Sequence, residues 1–176
     1  MRWQRVSCFA AELPARKPEE DRMNKMRRTD RELSREEAMN VLVEGEYGIL
    51  STVGTDGQPY AVPVNYAVDQ DLIYIHGTNQ ISQKNTNLSE NSGVCFTVVG
   101  KTEVLPSQFS TNYESAVVIG TAARSREPEK GLMRLVEKYS PEFAAEGMKY
   151  IQAAIDKVAV FEIRIEQLTG KARRTI

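Results

Sequence analysis

The sequence predicts one mainly β domain with helices, built as a six-stranded antiparallel barrel. Three observations lead to this fold class. Six runs rich in β-branched and aromatic residues are separated by short turns or by helical segments. The 176 residues, 41% of them hydrophobic, suffice for one buried core but not for two ordinary domains. Closure into a barrel also removes the exposed edges that an open sheet of this size would carry.

The first regular element is a helix that starts after Ser34. The run from Ser34 to Glu37 has the form of a capping box, in which the serine hydroxyl and the Glu37 carboxylate satisfy two free backbone amides. Apolar residues then recur at helical spacing up to Gly45, which favours an end near Glu44.

The strands and the remaining helices follow from periodicity. Short turns join the first three strands into an antiparallel meander, the first of them through Asp56-Gly57. In the last strand the odd-numbered residues are apolar and are expected to face the core. The predicted strands are 47–53, 60–68, 72–76, 94–99, 113–123 and 158–165. The predicted helices are 79–91, 128–139 and 141–155, with a polar loop at 101–112.

Composition limits the function classes and the domain organisation. Residues 1–25 lack sustained periodicity, and we expect a disordered extension followed by one domain over 26–176. The net charge of -1 argues against a nucleic-acid partner, although a basic arm within residues 1–35 is an alternative to a solvated tail. Two cysteines and one histidine do not suit a disulfide framework or a zinc site. No apolar run approaches the roughly 20 residues that span a membrane, so we expect a cytoplasmic protein with no membrane partner.

Pro63 is the first candidate for a role in a ligand site. It stands inside the predicted strand 60–68, where proline cannot donate to a sheet ladder. A local break at this point would free backbone groups that could face a planar, hydrogen-bonding ligand. The alternative is an ordinary edge strand.

A second candidate site follows the third predicted strand. His76 and Gly77 end that strand, and the helical segment beyond contains Ser82, Gln83 and Lys84. Free amides at a helix start, a hydroxyl and an ammonium suit a phosphate group. The alternative is a solvent-exposed polar helix end beside a structural histidine.

The third candidate is the run from Asn112 to Ser115 at the start of the fifth strand. Its aromatic ring and hydroxyl could line a pocket, whereas the alternative is a plain strand start with a turn-forming asparagine. The chain carries no nucleophile-elbow serine, Walker loop or dinucleotide-binding glycine fingerprint. The residues taken singly therefore name no reaction.

Taken in order, several short motifs resemble the flavin-binding split-barrel superfamily of pyridoxamine 5′-phosphate oxidase. Within that superfamily the chain is most similar to the Nim-type nitroimidazole-resistance proteins. The resemblance extends over about residues 26–174. It rests on GILSTV at 48–53, DGQP at 56–59, VPVNY at 62–66, IYIHG at 73–77, Lys84 with Asn91 downstream, VCF at 94–96, YESAVVIGTA at 113–122 and TGKA at 169–172.

This resemblance implies a homodimer with two FMN molecules at the subunit interface. It also assigns parts of each FMN molecule to residues of this chain. The residues carried over are Pro63, Val64 and Asn65 for the isoalloxazine ring, His76 and Gly77 for the ribityl chain, Ser82, Gln83 and Lys84 for the phosphate, and Tyr113 and Ser115 for the remaining wall.

The implied function is an FMN-dependent oxidoreductase that reduces small electron-poor molecules such as nitroaromatics. The flavin would carry the electrons, and His76 and Tyr113 are the candidate catalytic residues for proton transfer. Ser82 stands where the Nim-type pattern often has glycine. Residues 60–66 also lack the arginines that pyridoxamine 5′-phosphate oxidase uses for its substrate phosphate. The alternatives are vitamin oxidation, a deazaflavin-dependent reductase, and a non-enzymatic flavin or haem binder with His76 as the iron ligand.

Overall fold

The computed structural model describes residues 26–174, and its strands form one antiparallel sheet flanked by four helices. The fold class is the predicted one, whereas the extension predicted at 1–25 lies outside the described residues. The strands are β1 (Glu32–Leu33), β2 (Gly48–Val53), β3 (Pro59–Val64), β4 (Tyr66–Asp69), β5 (Leu72–Thr78), β6 (Gly93–Leu105), β7 (Ser110–Arg124) and β8 (Val158–Arg173). The helices are α1 (Arg35–Glu44), α2 (Gln83–Glu90), α3 (Pro128–Tyr139) and α4 (Ala144–Ala154).

The strand order shows how the barrel closes. The order is β3-β2-β6-β7-β8-β5-β4, with β1 added beside β8. The two outermost strands, β3 and β4, are consecutive in the chain and only Asn65 separates them. One continuous segment therefore pairs with β2 through its first half and with β5 through its second half. The barrel is split, because a covalent connection instead of a ladder joins its two edges.

The break in the second predicted strand lies at Asn65, two residues after Pro63. Pro63 pairs in register with Ile49 inside β3. The N–H of Gly54 donates to the carbonyl of Gln58, so these two residues form a hydrogen-bonded pair. Hydrogen-bonded and non-hydrogen-bonded pairs alternate along an antiparallel ladder, and this alternation places Pro63 in a non-hydrogen-bonded pair. Its missing donor therefore costs no ladder bond. The break also means that the first three predicted strands do not form a continuous meander.

The loop predicted at 101–112 is wrong, because β6 and β7 extend across it as a hairpin. The hairpin turns at Pro106–Gln108, and Phe109 follows with a φ of 48°. Polar residues form strands here because β6 and β7 pair from Thr102 opposite Tyr113 to Leu105 opposite Ser110, and each strand supplies the backbone partners of the other. The last strand is likewise longer than predicted and ends at Arg173.

The helices agree with the sequence more closely than the strands do. The capping box of α1 is confirmed, with the Glu37 N–H donating to the Ser34 hydroxyl and the Ser34 N–H donating to the Glu37 carboxylate. The third helix, α3, has the predicted bounds, whereas α2 starts later than predicted, after its N-cap Ser82. Within residues 26–174, no helix is long and apolar enough to cross a membrane.

The core fills the barrel, and a second apolar layer covers one outer side. Tyr66 lies fully buried inside and meets Phe96 edge to face at 5.0 Å between ring centroids. The odd-numbered residues of β8 are buried from 159 to 165, as predicted. Val160 is buried as well, because α3 packs on the outer face of β8 and β5 around Tyr74, and Ile151 of α4 joins the same apolar cluster.

Candidate functional site

The split leaves two strand edges without ladder partners. Among residues 26–174, β3 pairs with β2 alone, and the last residues of β5, 76–78, pair with β8 but not with β4. Because the β4–β5 ladder starts at Tyr66 and Ile75, the two free edges diverge from Asn65. We call the space between β3, residues 76–78 and the start of α2 the cleft of the split.

Lys84 reaches into this cleft. Its ammonium donates to the carbonyl of His76 at 3.1 Å. A Cβ atom at Gly77 would lie only 2.6 Å from Lys84 Nζ, so glycine provides the room that the ammonium occupies. Burial lowers the pKa of Lys84, and among residues 26–174 no carboxylate forms an ion pair with it. A partly desolvated cation without a counter-charge favours an incoming anion.

His76 lies at the same edge of β5, and its side chain is exposed. Partial desolvation, and secondarily the Lys84 ammonium, lower the pKa of His76. The neutral imidazole therefore predominates at neutral pH. A smaller fraction of His76 then carries the proton that an imidazolium could donate. The same neutral form can accept a hydrogen bond from a ligand.

Asn85, which no sequence motif indicates, holds the segment that leads into α2 through hydrogen bonds. Ser82 caps the helix by accepting from the Asn85 N–H at 3.3 Å. The Asn85 amide donates to the carbonyls of Thr78 and Gln80, each at 2.9 Å. Its buried Oδ1 receives no hydrogen bond within the described residues. The segment that leads into α2 thus contains a buried acceptor that no described donor satisfies.

A buried polar chain fixes α2 to the β2–β3 hairpin. Gln83 Nε2 donates to Asn87 Oδ1 at 2.8 Å, and Asn87 Nδ2 donates to Thr52 Oγ1 at 3.0 Å. The Thr52 hydroxyl in turn donates to the carbonyl of Tyr60 at 3.3 Å. Asn87 and Thr52 are each 1% exposed. Gln83, predicted to hold a phosphate, is therefore hydrogen-bonded to Asn87. The hydrogen bonds from Gln83 to Thr52 and Tyr60 fix the position of the neighbouring Lys84 relative to β3.

Tyr113 and Ser115 lie far from the cleft within one chain. His76 is opposite Val160 on β8, whereas Tyr113 is opposite Arg173 on the same strand. The thirteen residue steps from Val160 to Arg173 follow a path of about 40 Å along β8 at roughly 3.3 Å per residue. The structure therefore brings together His76, Gly77, Ser82 and Lys84, with 63–65 at the apex of the cleft, and leaves Tyr113 and Ser115 apart.

Tyr113 has its own electrostatic environment at the far end of β7. Its hydroxyl accepts from Arg31 at 3.5 Å, and that bond, followed by the effect of Lys171, lowers the pKa of Tyr113. The Ser115 hydroxyl donates to the carbonyl of Lys171 at 3.4 Å. Tyr113 is consequently a better proton donor than an ordinary surface tyrosine.

A separate cavity of about 360 Å³ lies at the C-terminal end of α1. Its lining includes Glu44, Glu46, Glu114 and Lys101. Three carboxylates beside the negative end of a helix dipole disfavour an anion. The surface that suits a phosphate is therefore the cleft of the split and not this cavity.

The family of the chain follows from its sequence over the region that forms this barrel. A family model for pyridoxamine 5′-phosphate oxidase matches residues 34–172. The chain belongs to the pyridoxamine 5′-phosphate oxidase family. No sequence among the curated proteins matches it.

Solved structures share the split barrel of this family member at low sequence identity. A conserved hypothetical protein from Mycobacterium tuberculosis has a TM-score of 0.70 at 20% identity, covering 85% of this chain and 95% of that chain. A candidate 5-nitroimidazole antibiotic resistance protein from Bacteroides thetaiotaomicron has a TM-score of 0.65 at 19% identity, over 80% and 86%. An FAD and haem binding protein from Mycobacterium smegmatis has a TM-score of 0.62 at 22% identity, over 81% and 72%. These likenesses show a common fold.

Proposed function

We propose that this chain binds FMN, with the phosphate beside Lys84 in the cleft of the split. The observation that carries the proposal is the Lys84 ammonium, which is partly desolvated, has no ion-pair partner among the described residues, and fits against Gly77. Membership of the pyridoxamine 5′-phosphate oxidase family supports a phosphorylated ligand at this barrel. The FAD and haem binding relative supports a flavin in a similar fold.

The residues around the cleft fit the chemical parts of FMN. A phosphate would compensate the Lys84 charge, and a ribityl hydroxyl is the type of donor that the orphaned Asn85 Oδ1 lacks. The free edge of β3 ends at Val64, and the adjoining Asn65 belongs to no ladder. Backbone groups there are available to a planar ring that carries donors and acceptors.

The reaction that suits this arrangement is the reduction of a small electron-poor molecule, such as a nitroaromatic compound. FMN bound there and reduced by an external electron donor would supply the electrons. The chain would hold the phosphate through Lys84 and orient the ligand along the β3 edge. His76, neutral at neutral pH, would accept or relay a proton, and Tyr113, whose pKa is lowered, would donate one.

We propose that the protein is a homodimer, and the position of Tyr113 supports this proposal. Tyr113 and Ser115 lie about 40 Å from His76 along the path of β8, so in the proposed dimer they would serve the FMN of a second copy. The β6–β7 hairpin beside them also exposes apolar side chains, with Val104 70% and Phe109 98% exposed. Burial of this hairpin against a second copy would remove that surface from water. Light scattering of the purified protein should give twice the chain mass, and a monomer that still binds FMN would contradict this arrangement.

The cofactor itself is tested by the absorption spectrum of the purified protein and the mass of the molecule released on denaturation. We expect a two-banded yellow flavin spectrum and the mass of FMN. A Soret band with haem released would overturn the proposal in favour of the haem alternative, and a deazaflavin mass would favour that reductase class. A colourless protein that does not quench the fluorescence of added FMN would also overturn it.

A further inference from the structure

The hydroxyl of Tyr139, the last residue of α3, lies between β2 and the segment that closes the barrel. It accepts a hydrogen bond from the Tyr66 N–H at 3.0 Å and donates to the carbonyl of Glu46 at 2.6 Å. The Tyr66 carbonyl is also within reach at 3.0 Å. One side chain thus bridges the two backbone segments on either side of the split.

The strand register shows what this hydroxyl replaces. The β2–β3 ladder ends with Gly48 opposite Val64, so two further residues would place Glu46 opposite Tyr66. Gly54 and Gln58 form a hydrogen-bonded pair, and such pairs recur at every second position of the ladder. In a continued ladder, Glu46 and Tyr66 would therefore be hydrogen-bonded to each other directly. The Tyr139 hydroxyl stands between the same two groups, the Tyr66 N–H and the Glu46 carbonyl.

The end of α3 holds Tyr66 from a second direction. The ammonium of Lys138 lies 3.7 Å from the centroid of the Tyr66 ring, a cation–π contact inside the barrel end. The Tyr66 hydroxyl donates to the carbonyl of Leu42 in α1. The backbone and the ring of Tyr66 are therefore both held in place. At the preceding residue, Asn65, the chain passes from the β2–β3 ladder to the β4–β5 ladder.

We propose that Tyr139 is a positioning residue that ends the β2–β3 ladder and thereby opens the split at Asn65. Its hydroxyl satisfies the two backbone groups that would otherwise extend the ladder, which lets the chain turn towards β5. The residues 63–65 immediately before Tyr66 are those that face the cofactor in the proposed function, so the effect of Tyr139 on FMN rests on that proposal. Its effect on the Tyr66 amide does not.

The test compares Tyr139→Phe with Tyr150→Phe, a control at a tyrosine of α4 that is 76% exposed. In the cofactor-free protein, exchange of the Tyr66 amide hydrogen, followed by NMR, should be slow in the wild type and about tenfold faster or more in Y139F. For FMN we expect a dissociation constant about tenfold higher in Y139F and unchanged in Y150F. At saturating FMN the visible circular dichroism of the flavin should also differ in Y139F, a change that loss of stability alone does not produce.

The outcomes separate this inference from the proposed function. Fast exchange of the Tyr66 amide in the wild type, or equal exchange in Y139F and Y150F, overturns the role of the hydroxyl, and the wild-type measurement needs no variant to fold. Normal FMN affinity and an unchanged flavin signal in Y139F overturn the link to cofactor placement. If the wild type binds no FMN, the proposed function fails, while the exchange data still decide whether Tyr139 holds the split.

Discussion

Replacement of Lys84 by methionine should weaken FMN binding without destabilising the cofactor-free protein. Burial lowers the pKa of Lys84, so its charge is a cost in the free protein, which the hydrogen bond to the His76 carbonyl offsets in part. Methionine keeps much of the chain length and apolar contact but removes the charge. The same side chain should therefore contribute to ligand affinity and little to folding.

The magnitude follows from a charge-assisted hydrogen bond to phosphate. Such bonds contribute about 1.5–3 kcal/mol, which corresponds to an increase of roughly 10- to 100-fold in the Kd for FMN. The affinity of the wild type should also fall more steeply with added salt than that of K84M, because screening acts on the removed charge. The free energy of unfolding of the cofactor-free protein should remain within about 1 kcal/mol of the wild type.

Quenching of flavin fluorescence in equilibrium titrations gives the Kd, and urea denaturation gives the stability. Lys149→Met is the matched control, since Lys149 is an exposed lysine on α4. Equal Kd values for K84M and K149M would refute the phosphate role of Lys84. A loss of several kcal/mol of stability in K84M would instead show that the lysine holds the fold.

Three further changes test other parts of the structure. Asn87→Ala removes the residue that links Gln83 to Thr52, and urea denaturation should show a free energy of unfolding about 2–3 kcal/mol lower. An unchanged free energy of unfolding would contradict the stabilising role of these hydrogen bonds. Gly77→Ala places a methyl group where Lys84 Nζ lies, so FMN titration should show about tenfold weaker binding with the thermal midpoint nearly unchanged, and intact affinity would contradict this. Burial lowers the pKa of Lys138 from its ordinary 10.5 to about 8, so between these pH values the unfolded chain carries a proton that the folded chain lacks. The stability of the wild type relative to Lys138→Met should therefore fall by about 1–2 kcal/mol, after allowance for solvent screening, as the pH is lowered from 10.5 to 8; a constant difference would contradict this assignment.

The local elements were predictable where one short pattern determines the conformation. The capping box at Ser34 and the bounds of α3 are of this kind, because caps and helical periodicity act within a few residues. The hairpin through residues 101–112 was not predictable from its polarity, since its stability comes from pairing between distant strands. The break at Asn65 depends on Tyr139, more than 70 residues away, and no local pattern shows that contact.

The candidate site divides in the same way. His76, Gly77, Ser82 and Lys84 were predicted together and lie together, because a strand end leads directly into a helix start. The anchoring residues Asn87 and Thr52 were missed, since an asparagine in a polar helix gives no sign that it is buried. The placement of Tyr113 in the same site stays a prediction, because within one chain Tyr113 lies at the other end of β8.

The most direct test of the proposed phosphate site at Lys84 is a comparison of FMN with riboflavin, which has the same ring and ribityl chain but no phosphate. Titration of the cofactor-free wild-type protein should give a Kd for FMN at least about tenfold lower than for riboflavin, and K84M should lose most of that difference. Equal affinities of the wild type for the two flavins would contradict a phosphate site in the cleft of the split.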